Sequence, residues 1–161
     1  MFALAADKTL FVSTGDDLQK SDTSQNKHDI RGKFLRIQRD GSPASDNPFI
    51  GGEDGDPRVW AYGLRNPWRC NLQPESGTPF IGDVGASRFE ELNVGVVGAN
   101  YGWPFTEGPE PPGMDGITYP IYSYPHTDPN GQTASVTQPG PTRSWPSIEP
   151  ACGKRRPRIL K

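Results

Sequence analysis

The chain has 161 residues, the length of one domain, with 19 Gly, 18 Pro, 16 aromatic side chains and a net charge of −2. So many aromatics and so little charge argue against a disordered chain. A mildly acidic body gives no reason to invoke nucleic acid, and no run of 18 apolar residues is present to span a membrane. In chain order, Met1 to Ala6 is too short for a signal-peptide core and lacks a basic start, so the sequence carries no signal peptide. Thr9 to Ser13 reads as a strand, ended by the turn residues Gly15-Asp16-Asp17. Leu18 to Asp29 is polar and reads as a surface loop. Lys33 to Gln38 is a second strand, closed by Asp40-Gly41. Ser42 to Asp56 is punctuated by Pro and Gly and reads as a long irregular connection. Further strands are expected at Arg58 to Tyr62, Trp68 to Leu72, Pro79 to Val84 and Phe89 to Val97, with a turn at Gly98-Ala99-Asn100. Gly102 to Pro129 is again turn-rich, with Tyr119, Tyr122 and Tyr124 available for packing. Short strands at this spacing, with no sustained helical period, predict an all-β sandwich, barrel or propeller.

The chemistry-bearing residues are few. Cys70 and Cys152 permit one disulfide but no four-ligand zinc site, and His28 and His126 lie in unlike contexts. Glu90 and Glu91, adjacent on a strand, face opposite sides and are read as a solvated pair. Asn100-Tyr101-Gly102-Trp103-Pro104 offers either a sugar-stacking platform or core aromatics. From Gln138 to Lys161 the character changes: six basic residues and one acid give +5, against −7 for the preceding 137 residues. That switch marks 138–161 as a separate Pro/basic tail, disordered or non-native, and Lys154-Arg155-Arg156 in it as solvated charge.

Four segments in order carry a resemblance. They are Leu10-Phe11-Val12-Ser13-Thr14-Gly15-Asp16; Gly32-Lys33-Phe34-Leu35-Arg36-Ile37 followed by Asp46-Asn47-Pro48-Phe49; Trp60-Ala61-Tyr62-Gly63-Leu64-Arg65-Asn66-Pro67-Trp68-Arg69; and Ile81-Gly82-Asp83-Val84-Gly85 leading to Glu90-Glu91-Leu92-Asn93 and Asn100 to Pro104. Together they resemble the glucose/sorbosone dehydrogenases, with Trp68 and Asp83-Val84-Gly85 closer to the Hedgehog-interacting-protein-like branch, whose members need not be enzymes. The resemblance implies a six-bladed β-propeller, of which residues 1–137 hold roughly two to three blades. An arc of this kind leaves apolar blade faces uncovered.

The resemblance also implies pyrroloquinoline quinone (PQQ) and Ca²⁺ as cofactors, a sugar substrate, and a periplasmic or extracellular location. In the complete parent a sugar C1 hydroxyl is oxidised with hydride transfer to the quinone. Arg65 and Asn66 match the cofactor-binding pair; alternatively, Arg65 ties loops together through carbonyls and Asn66-Pro67 makes a turn. Gly85 and Ala86 match the positions whose carbonyls hold calcium, although Val84 stands where the enzymes place a Gln. The alternative there is a tight turn whose Asp83 caps backbone N–H groups. Asp16 matches the carboxylate that orients the catalytic His, a residue the resemblance places ahead of Met1. The rival expectations are a non-catalytic extracellular module that binds protein or glycan, and an inactive partial gene product.

Overall fold

The computed structural model describes residues 1–18 and 21–127. Eight strands follow one another: β1 Phe2–Leu4, β2 Leu10–Thr14, β3 Lys33–Ile37, β4 Val59–Tyr62, β5 Pro67–Leu72, β6 Pro79–Asp83, β7 Phe89–Val94 and β8 Tyr122–Pro125. They form two four-stranded sheets, β1-β2-β3-β4 and β5-β6-β7-β8, in which every neighbouring pair is antiparallel. Each sheet is a meander of consecutive strands, which is how a propeller blade is built. The all-β expectation holds, and the described residues contain two blades. Among the described residues the helical structure is one short 3₁₀ turn, Ser21–Ser24.

The core lies between the two sheets. Phe11 and Phe34 stack at 5.1 Å, and Trp60 meets both rings edge-on. Ala61 and Leu64 extend this cluster, and Cys70, Ile81, Ala99 and Tyr101 close it from the second blade. The register explains how Trp60 gets there. Phe34 pairs with Ala61 but Leu35 pairs with Val59, so Trp60 is the extra residue of a β-bulge. Burial of Cys70 pushes its thiol up to about 11, leaving a buried, unreactive side chain.

Away from the second blade, the first sheet presents a continuous apolar face. The pairs Phe2↔Val12, Leu4↔Leu10, Val12↔Leu35 and Leu10↔Ile37 put all these side chains on one side. Phe2 is 71% exposed and Leu4 55%, so the expected uncovered blade face is present at β1.

Two expectations need correction. The Leu18 to Asp29 loop is not wholly superficial, because Thr23 and Ser24 are buried at 6% and 0% exposure. The loop folds back over β3, where its carbonyls meet a lysine. The strand read as Phe89 to Val97 stops at Val94: Gly95 still donates to the Pro79 carbonyl in register, but the Val96 amide turns to the Tyr101 hydroxyl and the Val96 carbonyl accepts the Ala99 amide. Neither β1 nor β8 was expected, as both are short and lack clean alternation. Tyr119 holds its loop by donating to the Pro111 carbonyl, while Tyr122 on β8 remains exposed. Ser135 to Thr137, the 138–161 tail, Cys152 and Lys154 to Arg156 lie outside the described residues.

Phe34 is fully buried between two rings. Phe34→Ala is expected to cost about 3–5 kcal/mol, as for other large core truncations, measured by urea unfolding.

Candidate functional site

Three loops meet on one rim of the two blades: β2–β3, β4–β5 and β6–β7. The long β7–β8 connection climbs to join them. Tyr62, Asn100 and Ile117 bridge in parallel beside β4, carrying the chain up to Trp103 and Glu107.

The sequence-predicted residues come together here. The Asp16 amide donates to the Arg65 carbonyl at 2.8 Å. The Asp16 side chain is 2% exposed and accepts the Trp103 indole N–H at 2.8 Å and the Leu18 amide at 3.0 Å. Among the described residues its hydrogen-bond partners include no histidine. His28 is exposed in the β2–β3 loop, and His126 Nδ1 pairs with Glu90 at 2.5 Å.

Arg65 reaches across to the β6–β7 loop. Its Nη1 donates to the carbonyls of Val84 at 2.9 Å and Gly85 at 2.5 Å. The Asp83 carboxylate, 4% exposed, accepts the amides of Arg65 at 2.9 Å and Asn66 at 2.6 Å. Both alternative readings from the sequence therefore describe this geometry: Arg65 ties loops through carbonyls, and Asp83 caps N–H groups. The capped amides belong to the neighbouring blade connection rather than to Asp83's own turn. Asn66 lines a cleft of about 340 Å³ between the blades, with Ser13, Gly15, Pro67, Trp68 and Arg69.

Gly85 is buried and Ala86 exposed. A Cβ at Gly85 would stand 1.8 Å from the Phe89 carbonyl, so only glycine permits this turn. The successive amides of Ala86, Ser87 and Arg88 converge on Glu107 Oε1 at 2.7, 3.0 and 2.9 Å. Burial alone would raise the Glu107 carboxyl, but these amides outweigh it and hold it below its usual value.

Glu107 went unnoticed in the sequence, and Asp83 was read only as the cap of its own turn, because their partners are backbone amides 17–21 positions away. The solvated reading of Glu90 and Glu91 is overturned: they are 0% and 7% exposed. Glu91 sits opposite Asp83 across β6 and β7. It accepts Asn93 Nδ2 at 3.0 Å and the Gly108 amide at 2.6 Å. Burial, with Glu107 and Glu90 nearby, pushes Glu91 up to about 7. Burial and Glu91 likewise raise Asp83 well above an ordinary aspartate.

The residues fit the two implied cofactors differently. Asn66 and Arg69 line one open cleft, and the Arg65 guanidinium retains nitrogens beyond the one bonded to carbonyls. The Arg69 guanidinium and the Asn66 amide of that cleft suit an anionic quinone bearing carboxylates, while Arg65 lies outside its lining. Calcium does not fit at Gly85 as arranged. That carbonyl already accepts a cationic donor at 2.5 Å, and Val84 offers no side-chain oxygen. Among the described residues there is no cluster of three acidic, His or Cys side chains able to hold a metal.

Comparison with known proteins gives a consistent answer. The family model described as Glucose / Sorbosone dehydrogenase matches residues 1–139. The HIPL2 protein of Arabidopsis thaliana is 35% identical over 162 residues, covering 81% of this chain and 23% of that protein. Aldose sugar dehydrogenase YliI of Escherichia coli is 34% identical over 95 residues, covering 59% and 25% respectively. Among solved structures, a putative oxidoreductase (glucose dehydrogenase) of Thermus thermophilus superposes with a TM-score of 0.71 at 32% identity, covering 76% of this chain and 38% of that one. The PQQ-bound aldose sugar dehydrogenase of Streptomyces coelicolor superposes at 0.68 with 32% identity, covering 77% and 34%. The chain thus spans about a quarter of the curated relatives and a little over a third of the solved structures.

The buried carboxylates set a pH dependence. Glu91 binds its proton more tightly folded than unfolded, so the stabilisation from its protonated form is present below about pH 4.5 and is lost as pH rises toward 7. Glu91→Gln keeps the protonated shape without the charge. It is expected to flatten that stretch of the stability profile and raise stability at pH 7.5 by as much as ~3 kcal/mol. Urea midpoints measured from pH 4.5 to 8 check this; an unchanged slope refutes it.

Proposed function

This chain belongs to the glucose/sorbosone dehydrogenase family, and on that premise we propose that residues 1–137 form the part of a sugar dehydrogenase propeller that grips the quinone. The supporting observation is the convergence of Asp16, Arg65, Asn66 and Gly85 on one rim through direct hydrogen bonds. When bound, PQQ supplies a two-electron acceptor for oxidation of a sugar C1 hydroxyl. Arg65 and Asn66 bind and orient the quinone's oxygens, with Asp83 fixing the backbone of both. Asp16, locked by Trp103, presents a buried carboxylate suited to orienting a catalytic histidine from elsewhere in a longer protein. The match of the family model to residues 1–139 supports separating the 138–161 tail from this unit. The location outside the cytoplasm that the family resemblance implies is part of the same proposal.

A second reading is favoured by one observation. The Arg65 guanidinium occupies the Gly85 carbonyl that calcium would need, with Val84 beside it. A propeller of this kind serves as a recognition module for protein or glycan, its rim held by arginine in place of a metal.

The purified chain titrated with PQQ, with and without Ca²⁺, separates the two. The first reading expects a visible absorbance change that saturates, indifferent to Ca²⁺, and an affinity at least ~10-fold weaker in Arg65→Ala, equivalent to ~1.4 kcal/mol. No spectral change at millimolar quinone overturns the cofactor reading and leaves the recognition module.

A further inference from the structure

Lys33 begins β3 and is fully buried. Its ammonium donates to three backbone carbonyls: Thr23 at 2.8 Å, Ser24 at 3.0 Å and Arg31 at 2.6 Å. All three N–H donors are thereby used, and no carboxylate lies within ion-pair distance of it among the described residues. A lysine buried without an anion is a costly choice, tolerated only where its hydrogen bonds are complete. An apolar side chain here would fill the space but take a donor from each of the three carbonyls, leaving that of Thr23 with the Asn26 amide and that of Ser24 with the Gly63 amide alone.

The consequence lies in what those carbonyls belong to. Thr23 and Ser24 form the end of the 3₁₀ turn, and their side chains hold the rim. Thr23 Oγ1 donates to the Asp16 carbonyl at 3.0 Å, and Ser24 Oγ donates to the Leu64 carbonyl at 2.7 Å. The Ser24 carbonyl that meets Lys33 also accepts the Gly63 amide at 3.0 Å. Gly32, just before Lys33, has φ +67 and no room for a Cβ, which would stand 2.0 Å from Ser24 Oγ. Turn and strand are therefore in intimate contact at this point.

We infer that Lys33 is a positioning residue for the rim: its buried ammonium fixes the Thr23-Ser24 turn, which in turn sets Asp16 on one side and the Gly63-Leu64-Arg65 connection on the other. It touches no ligand. Its role is exerted through two hydroxyls and a shared carbonyl. This names a residue for the site of the proposed function but does not need that function to be tested.

Amide hydrogen exchange followed by NMR on the full chain reads the positioning directly. Lys33→Met is expected to speed exchange at the amides of Asp16, Gly63 and Leu64 by at least ~10-fold while β6 amides such as Ile81 change less than ~2-fold. The Trp103 indole N–H resonance, bonded to Asp16, should shift with them. Propylammonium added to Lys33→Ala should restore the protection. Lys33→Gln, which keeps two donors, should lie between the two and serves if Lys33→Met is too unstable to study. Equal exchange at the three amides overturns the inference. So does a uniform loss of protection across both sheets, or complete unfolding of both variants, since the ammonium would then be supporting the sheet rather than the rim. A parallel PQQ titration should show Lys33→Met weakened ~10-fold, or ~1.4 kcal/mol. If the unaltered chain takes no quinone, the cofactor reading fails while the exchange data still decide this one.

Discussion

Four residues crossing from one sheet to the next impose the constraint on which the rim depends. Gly63 to Asn66 leave β4 and enter β5 largely out of contact with water, so each backbone donor and acceptor requires a partner. Each has one. The amides of Gly63 and Leu64 donate to the carbonyls of Ser24 and Gly32, and those of Arg65 and Asn66 to the Asp83 carboxylate. The carbonyls of the same four accept, in order, from Trp103 N, Ser24 Oγ, Asp16 N and Val84 N. The partners come from three separate excursions of the chain, the β2–β3 loop, the β6–β7 loop and the β7–β8 connection, so satisfying this crossing draws all three to one place. The rim is a consequence of backbone bookkeeping before it is a binding site.

Acidic residues show how position decides the role of a single chemical group. Glu107 faces amides and is kept charged by them, whereas Glu91 faces other carboxylates in a buried strand pair and is driven toward its neutral form. Asn93 registers this conflict. Among the described residues its buried Oδ1 has no partner, while its Nδ2 donates to Glu91. A proton on Glu91 would let the Asn93 amide reverse and accept it, so the neutral carboxyl is the better neighbour for the surrounding side chains as well as for burial.

The fold was legible because strand alternation and Gly/Pro turns act locally. Residues 10–14, 33–37 and 79–83 announce themselves by β-branched and aromatic content between turn signals. β1 escaped because three residues carry no period, and β8 because Tyr122 and Tyr124 fall on a half-exposed outer strand. At the site, Asp16, Arg65, Asn66 and Gly85 were readable as motif positions, yet their connections were not. Arg65 to Gly85 spans 20 residues and Asp16 to Trp103 spans 87, distances over which no local pattern reports a contact. Lys33 was the least legible of all. In sequence it is a charged residue opening a strand, and only the fold of the Thr23-Ser24 turn over it reveals that the charge is inside.

The same electrostatic need, a positive charge against clustered carbonyls, is met twice in this chain by side chains. Lys33 neutralises the carbonyls of Thr23, Ser24 and Arg31, and Arg65 does so for Val84 and Gly85. Converging carbonyl dipoles are what a hard cation would otherwise seek. A tethered cation satisfies them at fixed stoichiometry, without a metal's demand for six or more oxygens, and guanidinium adds a planar direction that a spherical ion lacks. Arg65 thereby couples two loops that a calcium ion would bridge only while bound. Arg65 thus holds the β4–β5 and β6–β7 loops together itself, while its neighbours Asn66 and Arg69 line the inter-blade cleft.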